Sequence, residues 1–150
     1  METRLKRFNA MTRHQQQLGQ WAEQQAKRWL EQAGYQCLAQ QFHSRYGEID
    51  LIMAGQHDLV FVEVKARAYR AQSLASGTVT ASKQLKMAKT ALFFLQKYPE
   101  FQSYYARFDV ISFDFNESFV KNSTLNFDQI SHERQWIENA FTFPEELINL

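Results

Sequence analysis

The sequence predicts an α/β fold in which helices flank a mixed β-sheet, and three observations carry that expectation. An apolar stripe at helical spacing runs from Leu18 to Ala33. Three stretches of strand character follow between Tyr35 and Lys65, and a second helical stretch and further strand candidates come after them. The order α-β-β-β-α-β-β suits a sheet covered by helices. At 150 residues the chain has the length of one domain, and 45% hydrophobic with 15% aromatic content argues against disorder. Cys37 is the only cysteine, which excludes an internal disulfide and a cysteine-based zinc cage. No apolar run approaches about 18 residues and no apolar segment follows the basic N-terminus. A soluble cytoplasmic protein with no membrane partner is expected.

Taken in order, residues 1–17 are basic and glutamine-rich and read as a flexible or partly helical arm. Residues 18–150 read as a single folded domain. Leu18, Trp21, Ala22, Ala26, Trp29, Leu30 and Ala33 recur at three- and four-residue spacing, and Gly34 is placed to stop that helix. Tyr35 to Phe42 is a weak strand, and Tyr46 to Met53 a stronger one, with Ile49, Leu51 and Met53 opposing Glu48, Asp50 and Ile52. Leu59 to Lys65 is the strongest, with Val60, Val62 and Val64 opposing Phe61, Glu63 and Lys65. The short turn around Gln56 makes the last two a hairpin. Residues 67–80, containing Gly77, read as a polar connection. Ser82 is expected to cap a helix reaching Lys97, with Leu85, Ala88, Leu92 and Leu95 buried and Pro99 ending it. Arg107 to Phe113 is a strand, 116–124 a loop, Leu125 to Ser131 an edge strand, and Trp136 to Phe141 a terminal helical turn.

The chemistry lies in Gly47-Glu48-Ile49-Asp50-Leu51-Ile52 and Phe61-Val62-Glu63-Val64-Lys65. Folding the hairpin about Gln56 makes Asp50 and Glu63 cross-strand neighbours, about 5–6 Å apart at the backbone. An acid, a spacer and lysine is a cheap pattern: 16 acids and eight lysines give roughly one such triplet by chance. The apolar surroundings supply the weight, because charges in such strands are costly unless paired, at a cleft or bound to metal. Two carboxylates and the Val64 carbonyl suffice for Mg²⁺ or Mn²⁺, which prefers oxygen ligands and retains waters. Lys65 would orient a nucleophilic water or stabilise charge at a phosphorane. Without metal, one of the two carboxyls should rise in pKa. Glu23, beside the first helix's apolar stripe, is the accessory acid. Glu48 shares the expected face of Asp50 as a supporting group.

The net charge of +1 hides a segregation. Between Lys65 and Lys97 there are seven basic residues and no acid, whereas from Asp109 onward eight acids face only Lys121 and Arg134. Arg67, Arg70, Lys83, Lys86 and Lys89 are the candidate contacts to nucleic-acid phosphates. His14, His43, His57 and His132 lack metal-ligand spacing.

Gly19-x-x-Ala22-Glu23, Gly34-Tyr35, Gly47-Glu48-Ile49-Asp50-Leu51-Ile52 and Phe61-Val62-Glu63-Val64-Lys65-x-Arg67 together resemble the bacterial YraN-type family. That family is similar to the PD-(D/E)xK nuclease superfamily, and the likeness extends over about residues 18–141, including Lys83-Gln84 and Arg107-Phe108-Asp109-Val110. The resemblance implies a restriction-endonuclease-like fold, similar to archaeal Holliday junction resolvases, over residues 18–150. It implies metal ligation by Asp50 and Glu63, a catalytic Lys65, an accessory Glu23 and Gln84 as a supporting residue. Gln41-Phe42-His43 and the stretch after Arg70 depart from the family pattern, and both departures bear on substrate contacts more than on metal. Resolvases form dimers, so a homodimer is admitted, although no interface signature decides it. The expected activity is metal-dependent hydrolysis of DNA phosphodiesters, on branched or single-stranded DNA. The rival expectation is a nucleic-acid-binding or adaptor protein on the same fold with little or no cleavage.

Overall fold

The structure, a computed structural model, describes residues 2–67, 79–115 and 126–148, and side chains for residue 13 and from 15 on within those ranges. Helix α1 spans Glu2–Gln32, followed by β1 Gln36–Ser44, β2 Gly47–Ala54 and β3 Asp58–Arg67. Helix α2 spans Ala81–Lys97, and β4 Tyr105–Phe115, β5 His132–Phe141 and the short α3 Glu145–Ile148 complete the fold. The five strands form one sheet in sequence order. β3 and β4 are parallel, with α2 between them in the chain, and every other neighbouring pair is antiparallel. The protein is therefore α/β, with a mixed sheet flanked by helices.

Each face of the sheet has its own core. Leu18, Ala22, Ala26 and Leu30 of α1 pack on Leu51, Met53, Val60, Val62, Ile111 and Phe113. Alanine at two of these α1 positions lets the helix backbone lie close to the strands. On the other face, Met87, Ala88, Ala91 and Phe94 of α2 pack on Ile49, Ile52, Leu59, Phe61, Phe108 and Val110. Helix α1 ends where Gly34 adopts φ +100°, with Tyr35 N–H donating to the Leu30 carbonyl and Gly34 N–H to that of Glu31. Those two bonds satisfy carbonyls the helix end would leave open, and the left-handed backbone they need favours glycine.

Several local expectations are corrected. Residues 2–17, expected as a flexible or partly helical arm, lie within α1, which begins at Glu2. Thr80, not Ser82, caps α2, its hydroxyl accepting from Lys83 N–H. The buried stripe runs through Met87, Thr90, Ala91 and Phe94, with Ala88 retained, and Leu92 is exposed, because packing on the sheet selects that face. Both stripes have helical spacing, so periodicity alone does not choose between them. Of the stretch Leu125 to Ser131, expected as an edge strand, the described residues 126–131 contain a 3₁₀ turn, Phe127–Gln129, and no strand. Trp136 to Phe141 is strand β5 in place of a helical turn, because pairing with β4 overrides a helix-tolerant composition. The expectations for Arg70, Gly77 and residues 116–124 fall outside the described residues.

β5 is fastened by a buried polar network. Asp109, fully buried, accepts from Arg107, from the Trp136 indole at 2.9 Å and from Asn139 N–H at 2.9 Å. Arg107 also donates to Asp58 and to the Tyr35 hydroxyl, both at 2.9 Å. The register of β4 and β5 shifts between Phe108 and Val110, and Asn139 there adopts φ +53°, turning its N–H toward Asp109. Breaking such a cluster strands a buried charge. Asp109→Ala is expected to lower stability by about 3–5 kcal/mol in urea unfolding, whereas Tyr105→Ser on the surface should change it by less than about 0.5 kcal/mol.

Candidate metal and phosphodiester site

The sheet forks between β2 and β3. Their pairing runs from Ala54↔Leu59 only as far as Leu51↔Val62, while β1–β2 continues to Ser44↔Gly47 and β3–β4 to Arg67↔Asp114. At the crotch the Asp50 carboxylate replaces the missing ladder bond: Val64 N–H donates to Asp50 Oδ2 at 2.8 Å. Opposite Asp50 on β1, Gln41 adopts φ +52°, and the pairs on either side are Gln40↔Leu51 and Phe42↔Ile49. This irregularity switches the face sequence of β2. Ile49 and Ile52 join the α2 core, and Leu51 and Met53 the α1 core. The strict alternation expected from sequence is thus broken at the residue expected to carry the chemistry.

Glu63, on the α2 side of β3, is only 9% exposed. Its Oε1 lies 3.4 Å from Lys83 Nζ, while Oε2 is buried without a hydrogen-bond partner. Burial and the neighbouring Asp50 charge push the Glu63 carboxyl up to about 7, against the pull of Lys83 and Lys65. Burial also raises Asp50, opposed by the Val64 N–H and Lys83. Two carboxylates sharing a half-dry crotch without a cation repel one another, and the Val64 N–H opposes the rise at Asp50, whereas no backbone donor does so at Glu63. Burial, then the adjacent Arg67, lowers Lys65, which follows Glu63 by two residues along β3.

Three buried side-chain atoms lack a hydrogen-bond partner among the described residues, Glu63 Oε2, Arg67 Nε and Ser112 Oγ, of which Arg67 Nε still has Asp114 Oδ1 at 3.4 Å as an ion-pair partner. Ser112 is the register partner of Lys65 and Asp114 that of Arg67, so all three atoms belong to one strip of β3 and β4. Orphaned buried polar atoms are rare in folded proteins, and clustering is a mark of a site that holds something else. Their chemistry, a carboxylate oxygen beside donors, fits a cation and a phosphate.

The remaining candidates are distributed around this core. Glu23 accepts from Gln41 Nε2 and lines an open groove of about 720 Å³ with Gln16, Gly19, Gln20, Gln24 and Gln41. Burial, then the Asp50 charge, raises its pKa, which places it within electrostatic reach of Asp50 from the α1 side. Glu48 pairs with His43 at 3.3 Å across β1 and β2. Gln84 donates to the Val79 carbonyl at 2.8 Å and so fastens the start of α2. Arg67 faces Asp114 at 3.4 Å. Lys86 is exposed, and Lys89 lies over the Tyr46 ring at 5.4 Å. Of Val64, the group in contact with the carboxylates is its N–H. No group of three or more His, Cys, Asp or Glu side chains able to hold a metal ion occurs among the described residues.

Lys83 as the partner of Glu63 was not foreseen, yet the sequence carries a signal for it. Thr80 caps the helix and Lys83 is three residues on, where a capping box would place Glu or Gln. A lysine there opposes the positive end of the helix dipole, so a local reason is needed, and the Glu63 carboxylate supplies it.

The model of the Uncharacterised protein family UPF0102 matches residues 22–113. The chain belongs to the UPF0102 family. The family resemblance read from the sequence holds at that level, and the matched span contains Glu23, Asp50, Glu63, Lys65 and Lys83. The chain is 50% identical over 127 residues to the UPF0102 protein of Acinetobacter baumannii strain AYE, covering 85% of this chain and 96% of that protein. The UPF0102 protein of Acinetobacter baylyi is 46% identical over 129 residues, covering 86% and 92%. That of Halorhodospira halophila is 36% identical over 125 residues, covering 83% and 87%. No helix among the described residues is long and apolar enough to cross a membrane.

The electrostatics of the UPF0102 crotch give a pH signature. Glu63 has a folded pKa of about 7 against 4.5 for the free group, so the folded state holds an extra proton between those values. Its contribution is most favourable below the lower value and fades as pH rises through the upper, by at most about 3 kcal/mol. Metal-free Glu63→Gln should therefore melt higher than the unsubstituted protein near pH 8, with the difference closing toward pH 5. An equal difference at both pH values in calorimetry would contradict the buried-carboxyl assignment.

Proposed function

We propose that the protein is a metal-dependent endonuclease that hydrolyses DNA phosphodiester bonds, with branched or single-stranded DNA as its substrate class. The observation that carries this reading is the pair of carboxylates at the fork, one of them with a buried, unpartnered oxygen, flanked by two lysines. The five-stranded mixed sheet with helices on both faces is compatible with the restriction-endonuclease-like fold expected from the sequence.

Asp50 and Glu63 would hold a divalent cation such as Mg²⁺ or Mn²⁺, with the Val64 carbonyl as a further oxygen donor. When bound, such a cation supplies Lewis acidity toward a phosphate oxygen and acidifies water. The chain's own residues contribute the rest. The Val64 N–H fixes the orientation of Asp50 and keeps one of its oxygens occupied. Lys65 extends from the same side of β3 as Glu63 and offers an ammonium to charge developing on phosphorus. Lys83 neutralises Glu63 while no cation is held and is placed to turn to a phosphate oxygen. Glu23, across the fork, acts through the Asp50 field and through Gln41. A two-carboxylate site suits magnesium, which is commonly bound by one or two carboxylates plus substrate phosphates.

A second reading, nucleic-acid binding without appreciable cleavage, draws on Lys83 occupying Glu63 Oε1 and on there being, among the described residues, no group of three acids, histidines or cysteines that could hold a metal. Incubating the full chain with Mg²⁺ or Mn²⁺ and duplex, flap, junction or single-stranded DNA separates the two. Asp50→Asn and Lys65→Ala are each expected to reduce cleavage on the order of 10²-fold or more. Cleavage that survives both substitutions would sink the catalytic assignment. Salt-dependent binding without cleavage by the unsubstituted protein would establish the second reading. In parallel, Mg²⁺ at about a hundredfold its dissociation constant should stabilise the fold by about 2.7 kcal/mol, and Asp50→Asn should abolish that shift in thermal melts.

A further inference from the structure

A second surface, on the outer side of α2, gathers aromatic, aliphatic and basic side chains. The β1–β2 turn brings Arg45 and Tyr46 against α2, where Ser44 Oγ and Thr90 Oγ1 lie 2.8 Å apart in a hydrogen bond. The Tyr46 ring has Arg45 Cζ at 4.8 Å and Lys89 Nζ at 5.4 Å from its centroid. Beside it, Leu92 and Phe93 are 36% and 39% exposed, two of only four large apolar side chains exposed to that degree among the described residues. Phe93 is backed by Phe42, their centroids 6.0 Å apart. Arg45, Tyr46, Lys89, Leu92, Phe93, Gln96 and Leu147 line an open groove of about 610 Å³, with no carboxylate among the described residues that line it.

We propose that this groove is a stacking platform for unpaired bases of single-stranded DNA, with Tyr46 and Phe93 taking base faces and Arg45, Lys86 and Lys89 the neighbouring phosphates. The inference rests on the nuclease reading for the identity of the polymer and adds a separate binding site to it. Aromatic rings among cations, with no acid among the described lining residues, are what a single strand requires: π-faces for bases and charge for the backbone. The obvious rival occupant is a second copy of this chain. A two-fold contact would set this patch against itself and bring Arg45, Lys86 and Lys89 opposite like charges, which disfavours it.

The platform is continuous with the fork. Lys83, Lys86, Lys89 and Phe93 follow one another along α2 at three- and four-residue spacing, starting from the lysine that touches Glu63. From Lys83 to Phe93 the helix rises about 15 Å, the length of roughly four nucleotides at B-form spacing. A strand reaching the fork would thus lay nucleotides a few positions away on Tyr46 and Phe93.

Fluorescence anisotropy with the full chain, EDTA and a labelled oligo(dT) strand, alongside a duplex of equal length, tests this. Tyr46→Ala and Phe93→Ala should each weaken oligo(dT) binding by about tenfold, Tyr46→Trp should retain it, and duplex binding should be unchanged. Lys89→Ala should lower the slope of log affinity against log salt by about 0.7, a readout that also serves if an aromatic variant fails to fold. Absence of oligo(dT) binding, unaltered binding in the aromatic variants, or an equal loss on duplex would overturn the platform. So would a dimer in sedimentation that Phe93→Ala dissociates while oligo(dT) affinity stays constant. Stacking without metal-dependent cleavage supports the platform while removing the nuclease reading; cleavage with no effect of Tyr46→Ala on binding removes the platform alone.

Discussion

The arrangement of this protein turns on one hydrogen bond, from the Val64 N–H to the Asp50 carboxylate. A regular hairpin would have continued the β2–β3 ladder past Leu51 and Val62 and sealed the sheet. Asp50 takes the place of that backbone partner, so the strands diverge while no buried donor is left open. The divergence opens the sheet beside Asp50, and the same bond fixes one of its carboxylate oxygens. The left-handed Gln41 on the neighbouring strand absorbs the local change in direction, and its side chain reaches the opposite way, to Glu23. A non-glycine residue at positive φ carries a cost on the order of 1–2 kcal/mol, which the flanking core on both faces of the sheet offsets.

Two charged clusters in the same sheet show how differently buried ions are used. At one end Arg107 and Asp109 are surrounded by partners: Asp58, Tyr35, Trp136 and the Asn139 backbone. That cluster holds the β5 edge in register and has no capacity left for a ligand. At the fork the chemistry is similar but the accounting is left open, with Glu63 Oε2 and Ser112 Oγ lacking a hydrogen-bond partner among the described residues and Arg67 Nε held only by the Asp114 ion pair at 3.4 Å. A low-dielectric site with spare acceptors and donors is costly to the fold. It is the condition under which a bound cation or phosphate gains most.

The fork also explains the unusual start of α2. A lysine in the first turn works against the helix dipole, and this one is held by Glu63 at 3.4 Å. Helix α2 thereby joins three things: the counter-charge at the fork, the packing that covers Ile52 and Phe61, and an outward ridge of Lys86, Lys89 and Phe93. Because the sheet packs on Met87, Ala88, Thr90, Ala91 and Phe94, the apolar residues Leu92 and Phe93 come to the surface together beside the basic turn at Arg45.

The sequence alone determined the α/β class, the two long helices with their Gly34 and Pro99 ends, the β2–β3 hairpin and the nearness of Asp50 to Glu63. Those features follow from spacing of apolar residues and from turn chemistry, which act over a few residues. It misread β5, because Trp136 to Phe141 becomes a strand only by pairing with β4, about thirty residues away along the chain. It missed the parity switch at Asp50, since a break in alternation depends on what the facing residues Gln41 and Val64 do. The phase of α2 was equally open, two stripes of similar hydrophobicity competing until sheet packing chose one. Tertiary structure alone decided that Lys83 answers Glu63 and that Glu23 looks onto a glutamine groove. The physical reason is range: local propensity fixes elements, whereas a charge site is set by which distant elements the two cores press together.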